Sequence, residues 1–341
     1  MPTTIALIQT AFLGDAALSM ILADQVHRAF PQSEIVFVCR PDSERLARAN
    51  SAISRTIVFD KRGRDRGIGG IRRIAQQLKQ QHVTITLCLQ RSIRTAFVAR
   101  ACGAPIRIGF ETAQGRWLLT HCVPYRTKWH EIERNASLLS ALGIEPPPPS
   151  LPLRLQLDNQ QQQRCDEAVA QCGNRPIAAI APGAVWETKR WLPQRFADVA
   201  LRLRSEGLSV AFIGGSADIA LCKQLAARSG GVSFAGTLDP AETVAFLRHC
   251  SVLIANDSAP THLATLAACP TVTIFGSTIP EFGFAPRAPA SVVVEPPPLP
   301  CRPCTDHGRR QCPRGTLDCM HSIVVEDVFE RVRTIVQSSL A

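Results

Sequence analysis

The proline-rich run at 145–152, with Pro146, Pro147, Pro148, Pro149 and Pro152, divides the chain into two halves of the same rhythm. Such a run is neither helix nor central strand and behaves as a stiff, extended spacer. Before it, apolar strand candidates at 4–9, 34–39, 56–59 and 83–90 alternate with helix candidates at 15–30, 42–50, 71–81 and 92–102. After it, strand candidates at 177–181, 210–214, 252–256 and 271–275 alternate with helix candidates at 193–206, 217–229, 240–250 and 259–268. Alternation of this kind implies parallel sheets covered on both faces. The predicted fold class is α/β, with two doubly wound, Rossmann-like domains facing each other across a cleft. Ligands are then expected at the carboxyl ends of the strands lining that cleft. The 341 residues, 45% of them apolar, suffice for two cores. The expected domains are 1–150 and 151–322, and the amphipathic helix within 323–341 is expected to pack back on the first domain.

Four strand–turn–helix junctions carry polar residues where an α/β protein holds a ligand. An apolar run at 251–255 delivers Asn256-Asp257-Ser258 to a helix opening at Ala259. An acid, a hydroxyl and a free helix N-terminus at a strand end suit an anionic ligand such as a nucleotide's phosphates. His262 falls in the first turn or so of that helix, where it faces ligand or core, and core is favoured. In Trp186-Glu187-Thr188-Lys189-Arg190-Trp191, two tryptophans bracket two cations and a hydroxyl. Lys189 and Arg190 can neutralise a diphosphate and Thr188 can add a hydrogen bond; a surface loop around a buried Trp191 is the alternative, and Walker spacing is absent. Asp218, after Gly214-Gly215, is either a ribose ligand or an early-helix acid. Phe12-Leu13-Gly14-Asp15 opens the first helix without a G-x-G-x-x-G fingerprint. Gly14 permits a tight turn or close backbone approach, and Asp15 either points into the cleft or complements the helix dipole.

The formal net charge of +10 suits an anionic partner. The densest basic patch, Lys61, Arg62, Arg64 and Arg66 followed by Arg72 and Arg73, reads either as a solvated loop or as contact with an anionic acceptor or lipid headgroups. The charge is dispersed and the chain holds one tyrosine, which disfavours a nucleic-acid binder and its basic–aromatic interleaving. No apolar run approaches the ~20 residues that span a bilayer. The opening residues lack the features of a signal peptide, so a cytoplasmic location is expected. Of thirteen cysteines, nine are scattered, and those within apolar runs (Cys39, Cys88, Cys122 and Cys250) read as small core residues in a reducing compartment. Cys301, Cys304, Cys312 and Cys319 cluster as C-x2-C-x7-C-x6-C. Three readings stand for them: a structural zinc site, reduced thiols packing a loop, and disulfides.

In order and spacing, Phe12-Leu13-Gly14-Asp15, the 186–191 motif and the segment from Asn256 to Ala264 together resemble the bacterial heptosyltransferases of lipopolysaccharide core synthesis, glycosyltransferase family nine. His130-Glu131-Ile132-Glu133-Arg134-Asn135 is similar to the family's segment before the linker. The resemblance runs nearly end to end and implies a GT-B fold, ADP-heptose as donor, a lipid A–Kdo core acceptor, and inverting transfer with no cofactor required for catalysis. It assigns Asp15 as general base. Thr188, Lys189, Arg190, Asp218, Asp257, Ser258, Ala259 and His262 fall to the donor, and Gly14, Lys61, Arg62 and Arg64 to the acceptor side. The cysteine tail and the Asn-Asp-Ser wording lean toward the second-heptose enzymes. Peripheral contact with the inner membrane follows from a lipid acceptor and basic charge, and no nucleic-acid partner is expected. The alternatives are a GT-B-like sugar-nucleotide epimerase or a family member using another donor sugar.

Overall fold

The structure, a computed structural model, describes residues 3–340. Residues 1, 2 and 341, at the outer ends of the predicted first domain and final helix, lie outside the described residues. The chain forms two compact units, Met1–Gln156 and Leu157–Ala341.

In the first unit the order is β1 (Thr4–Ile8), α1 (Leu13–Ala29), β2 (Glu34–Cys39), α2 (Glu44–Ala49), β3 (Arg55–Val58), α3 (Ile68–Gln80), β4 (Ile85–Cys88), α4 (Ile93–Ala101), β5 (Ile106–Phe110), β6 (His121–Val123) and α5 (Glu131–Ala136). Its strands form one parallel sheet, β3-β2-β1-β4-β5-β6. The sequence order reverses direction between β1 and β4, the switch point where such sheets hold ligands. Every residue of β1 and β4 is buried, because helices cover both faces of a parallel sheet and its strands read as unbroken apolar runs. Two strands, β5 and β6, escape the sequence reading. The edge strand β6 is short and exposes His121 and Cys122. Cys122 is therefore a surface thiol, and its expected place in the core is corrected.

The second unit runs α6 (Asn159–Cys172), β7 (Ile177–Ala181), α7 (Pro193–Ser205), β8 (Ser209–Phe212), α8 (Ile219–Ser229), β9 (Val232–Ser233), α9 (Pro240–Leu247), β10 (Cys250–Asn256), α10 (Ala259–Ala267), β11 (Thr271–Ile274), β12 (Val292–Val294), α11 (Asp318–His321) and α12 (Val325–Leu340). Its sheet, also parallel, is ordered β12-β11-β10-β7-β8-β9. Asp158 and Asp239 cap α6 and α9 with capping boxes, which fixes both helix starts.

The final helix packs on the core of the second unit. Val328, Phe329, Val332, Ile335 and Val336 lie in the same buried cluster as Ile254, Ile274, Trp191 and Phe196 of the second unit. The indole of Trp191 donates to the Ile323 carbonyl at 3.0 Å, pinning the approach to α12. The helix has an apolar stripe at the spacing that faces a core, and the sheet beside it supplies that core.

Candidate active site

In the first unit, polar side chains collect at the carboxyl ends of β1, β2 and β4. Thr10, just past β1, donates its hydroxyl to Gln90 Oε1 at 2.5 Å and its backbone N–H to the same oxygen at 3.1 Å. Lys61 Nζ donates to the Thr10 hydroxyl at 3.4 Å. Burial, then the charges of Arg40, Arg94 and Arg62, push the Lys61 ammonium below its ordinary pKa, while Asp15 opposes them. Arg40 and Arg62 both lie over the Phe12 ring, at 5.2 and 5.6 Å. Asp15 thus opens α1 within the field of several cations. Gly14 is buried as the second residue of α1 and forms no turn of its own. Arg64 is mostly exposed and leans on Asp65 at 3.6 Å.

The loop that carries Lys61 and Arg62 is held from beneath. Asp65 is 1% exposed; its carboxylate accepts from the Asp60 N–H at 2.9 Å and from Arg73 at 2.6 and 2.5 Å. Arg73 also donates to the Val58 carbonyl at 2.9 Å. A Cβ on Gly70 would fall 2.0 Å from the Asp65 carbonyl oxygen, so the loop closes on α3 only over glycine.

On the far side of Asp15, α5 packs on α1. It buries Glu131 beside Arg134, whose Nε donates to Glu131 Oε2 at 2.8 Å. Burial pushes the Glu131 carboxyl up to about 7; Arg134 opposes this and Asp15 adds to it.

The second unit gathers its site at the ends of β7, β8 and β10. Asp257, directly after β10, is buried. Its Oδ2 accepts from Lys189 Nζ at 2.5 Å and from the Thr278 hydroxyl at 2.6 Å. Asn256 fixes this geometry: its amide donates to the Pro182 carbonyl at 2.8 Å and accepts from the Trp191 N–H at 3.0 Å. The loop after β7 is thereby sewn to β10. Ser258 is the N-cap of α10 and its hydroxyl donates to the Gly183 carbonyl at 3.4 Å. Ala259 opens α10, where first-turn N–H groups lack intrahelical acceptors. Asp218 lies against the same loop: a Cβ on Gly183 would sit 2.2 Å from its Oδ1. Its Oδ2 accepts from the Gly215 N–H at 3.0 Å.

His262 is buried in α10. Its Nδ1 has no hydrogen-bond partner among the described residues, and its ring meets Phe284 at 6.0 Å. Burial pushes the imidazole down to about 4, with Asp257 opposing and Lys189 adding. It is a neutral group at the edge of the Lys189–Asp257 pair.

Two of the residues predicted for the diphosphate, Thr188 and Arg190, also have partners within the fold. The Thr188 hydroxyl accepts from the Arg309 N–H at 2.8 Å and from Ser277 at 3.1 Å, so it ties the cysteine-rich loop to the site. Arg190 donates to the Ala184 carbonyl at 2.8 Å and pairs with Glu187 at 2.7 Å. The cysteine-rich loop braces this region further: a Cβ on Gly308 (φ +95°) would lie 2.9 Å from Trp186 Cβ and 3.2 Å from Lys189 Cγ. The four clustered cysteines are free thiols, and no group of three or more His, Cys, Asp or Glu among the described residues is arranged to hold a metal ion. Cys319 is buried, the Cys304 thiol donates to the Cys301 carbonyl at 3.4 Å, and burial with the neighbouring thiols of Cys301 and Cys312 pushes the Cys304 thiol up. Sequence reading missed Gln90, Arg40 and Thr278, and named Glu131 only within the family-like segment, with no role. Gln90, Arg40 and Thr278 follow the carboxyl end of a strand, which is the one signal that locates them.

The model of the family described as glycosyltransferase family 9 (heptosyltransferase) matches residues 71–313. The chain is similar to lipopolysaccharide heptosyltransferase 2 of Escherichia coli, 25% identical over 296 residues that cover 82% of this chain and 84% of that protein. It is also similar to lipooligosaccharide heptosyltransferase 2 of Haemophilus influenzae, 23% identical over 301 residues with the same coverage. Among solved structures, a family 9 glycosyl transferase from Veillonella parvula superposes with TM-score 0.88 at 23% identity, over 98% of each chain. The E. coli ADP-heptose LPS heptosyltransferase II superposes with TM-score 0.78 at 20% identity, over 99% of this chain and 100% of that one.

Proposed function

Because this chain belongs to glycosyltransferase family 9, the heptosyltransferases, and has their GT-B fold, we propose that it transfers heptose from ADP-heptose to the inner core of lipopolysaccharide, as the second-heptose enzyme. Its relatives by name are chiefly heptosyltransferases 2, which supports that choice. The observation that carries the donor reading is the buried Lys189–Asp257 pair, 2.5 Å apart and directly before α10. An incoming diphosphate replaces the Asp257 carboxylate as the partner of Lys189 and takes the first-turn N–H groups at Ser258 and Ala259. The charge that develops on departing ADP then meets a fixed cation and a helix dipole, and the reaction calls on no metal. Asp218 serves the ribose, and His262, neutral, borders the sugar.

On the acceptor side, a hydroxyl must lose its proton as it attacks the anomeric carbon. Asp15 takes that proton. The C–O bond to the acceptor forms, the bond to ADP breaks, and the anomeric configuration inverts. Lys61 and Arg62, with Arg64 more remote, receive the anionic groups of a lipid A–Kdo core. The protein works in the cytoplasm, at the inner membrane's cytoplasmic face, in peripheral contact with it.

The test supplies ADP-heptose with heptose-free or mono-heptosylated lipid A core and measures ADP release and product mass. A heavier product from the mono-heptosylated acceptor alone is expected. ADP release without a heavier acceptor overturns the transfer reading. The Asp15→Asn variant is expected to retain ADP-heptose binding and to lose about 100-fold or more in turnover; near wild-type activity would remove Asp15 from the role of base.

A further inference from the structure

We infer that α4 and the 3-10 turn Arg116–Leu118 form a docking ridge for an anionic lipid surface. The first observation is where the charge lies. Residues 66–130 hold eleven Lys and Arg and a single acid, Glu111; the rest of the chain holds 27 of each sign. The whole formal excess of +10 therefore sits in this one stretch of the first unit. The cations form no single run, but the second unit is left with as many acids as bases, so the net positive field belongs to the first unit.

The second observation is an aromatic crest within that field. Ile93, Phe97 and Arg100 follow one another at i, i+4 and i+7 along α4, and all three are exposed. Trp117 is 67% exposed and meets Phe97 edge to face, ring centres 6.0 Å apart. The crest is preformed. A Cβ on Gly115 would lie 2.6 Å from Ala96 Cβ, so the turn seats directly on α4, and the Gln114 N–H donates to the Arg91 carbonyl at 2.9 Å. Arg100 and Arg116, both exposed, flank it. Exposed tryptophan and phenylalanine among arginines match the interface of a bilayer, where aromatic rings sit at headgroup depth and cations meet anionic lipid. No described helix is long and apolar enough to cross a membrane, so this is contact from one side.

The third observation is continuity. Arg94, on the first turn of α4, is among the cations that depress Lys61. The ridge thus begins beside the cluster assigned to the acceptor's anionic groups. The inference deepens the peripheral contact proposed above and rests on it for its biological sense.

The experiment is flotation of the full chain with vesicles, using neither donor nor acceptor, so its failure and that of the transfer reading are separate. Vesicles of phosphatidylethanolamine and phosphatidylglycerol are compared with phosphatidylcholine alone and with a DNA duplex. Selective, salt-sensitive binding to the anionic vesicles is expected. The double variant F97S/W117S should lower partitioning about tenfold or more, and R100Q/R116Q about fivefold for each arginine. Both should keep wild-type turnover on detergent-dispersed acceptor, and W117F should retain most of the binding. The inference is overturned by absence of wild-type binding, by variants that bind as wild type does, or by tighter binding to the duplex than to the vesicles.

Discussion

At the scale of single residues, two buried titratable groups act on stability in opposite directions. His262 is driven down to about 4 from 6.5. Between those values the unfolded chain binds the proton and the folded one does not. The stability it contributes is present above pH 6.5 and is lost as pH falls through about 4, an effect of up to about 3 kcal/mol. Glu131 is driven up to about 7 from 4.5. Here the folded state holds the proton longer, so its contribution is present below pH 4.5 and is lost as pH rises through about 7. The wild-type profile therefore conceals two slopes that cancel in part. Melting curves from pH 4 to 8 should separate them: His262→Asn removes the loss on the acid side, and Glu131→Gln removes the loss toward neutrality. Unchanged slopes in both variants would contradict these assignments. The same residues show why the site was only partly legible. Asp257 and Lys189 stand in recognisable motifs, but their mutual contact, 2.5 Å across 68 positions, is a product of folding. Thr188 and Arg190 looked equally suited to a diphosphate, and only the structure shows that they also brace the fold, through Arg309 and Ser277 and through Ala184 and Glu187.

Among elements, the loop that carries Lys61 and Arg62 and the last helix support the most direct tests. The Asp65–Arg73 pair fixes the loop that presents Lys61 and Arg62. Asp65→Asn keeps the shape but weakens the charge-assisted bonds, so the loop loses preorganisation. The expected result is a several-fold higher KM for acceptor with kcat and donor affinity near wild type; a fall in kcat alone would refute the positioning role. Removing α12 by ending the chain at Ser322 strips Val328, Phe329, Val332, Ile335 and Val336 from the second core. At roughly 1.5–3 kcal/mol for each such side chain, the loss rivals the whole stability of a domain. The truncated chain should fail to give a cooperative melt, and a soluble, cooperatively melting product would show the helix dispensable. Its amphipathic stripe was evident in the sequence. Its partner was not, because a stripe says that a helix must be covered and is silent on which of two cores covers it.

For the whole molecule, the repeated alternation and the proline run were enough to read two parallel α/β units. Short elements were lost: β9 has two residues and β6 and β12 three each, too few for any period to register. Both sheets being parallel throughout has an engineering consequence. Every strand-to-helix loop, and with it every residue assigned above to chemistry at a strand end, emerges at one end of its sheet. The helix-to-strand turns all emerge at the other. Gly173 and Gly207, with φ of +74° and +90°, mark two of these return turns, before β7 and β8. A fluorescent reporter or affinity tag spliced into the turn at Gly207 should leave turnover within about twofold of wild type, since exposed turns absorb insertions cheaply. A matched insertion beside Gly183 should abolish it. Such a pair of chimeras would give this transferase a handle for imaging or immobilisation on the end of the sheet opposite the proposed site.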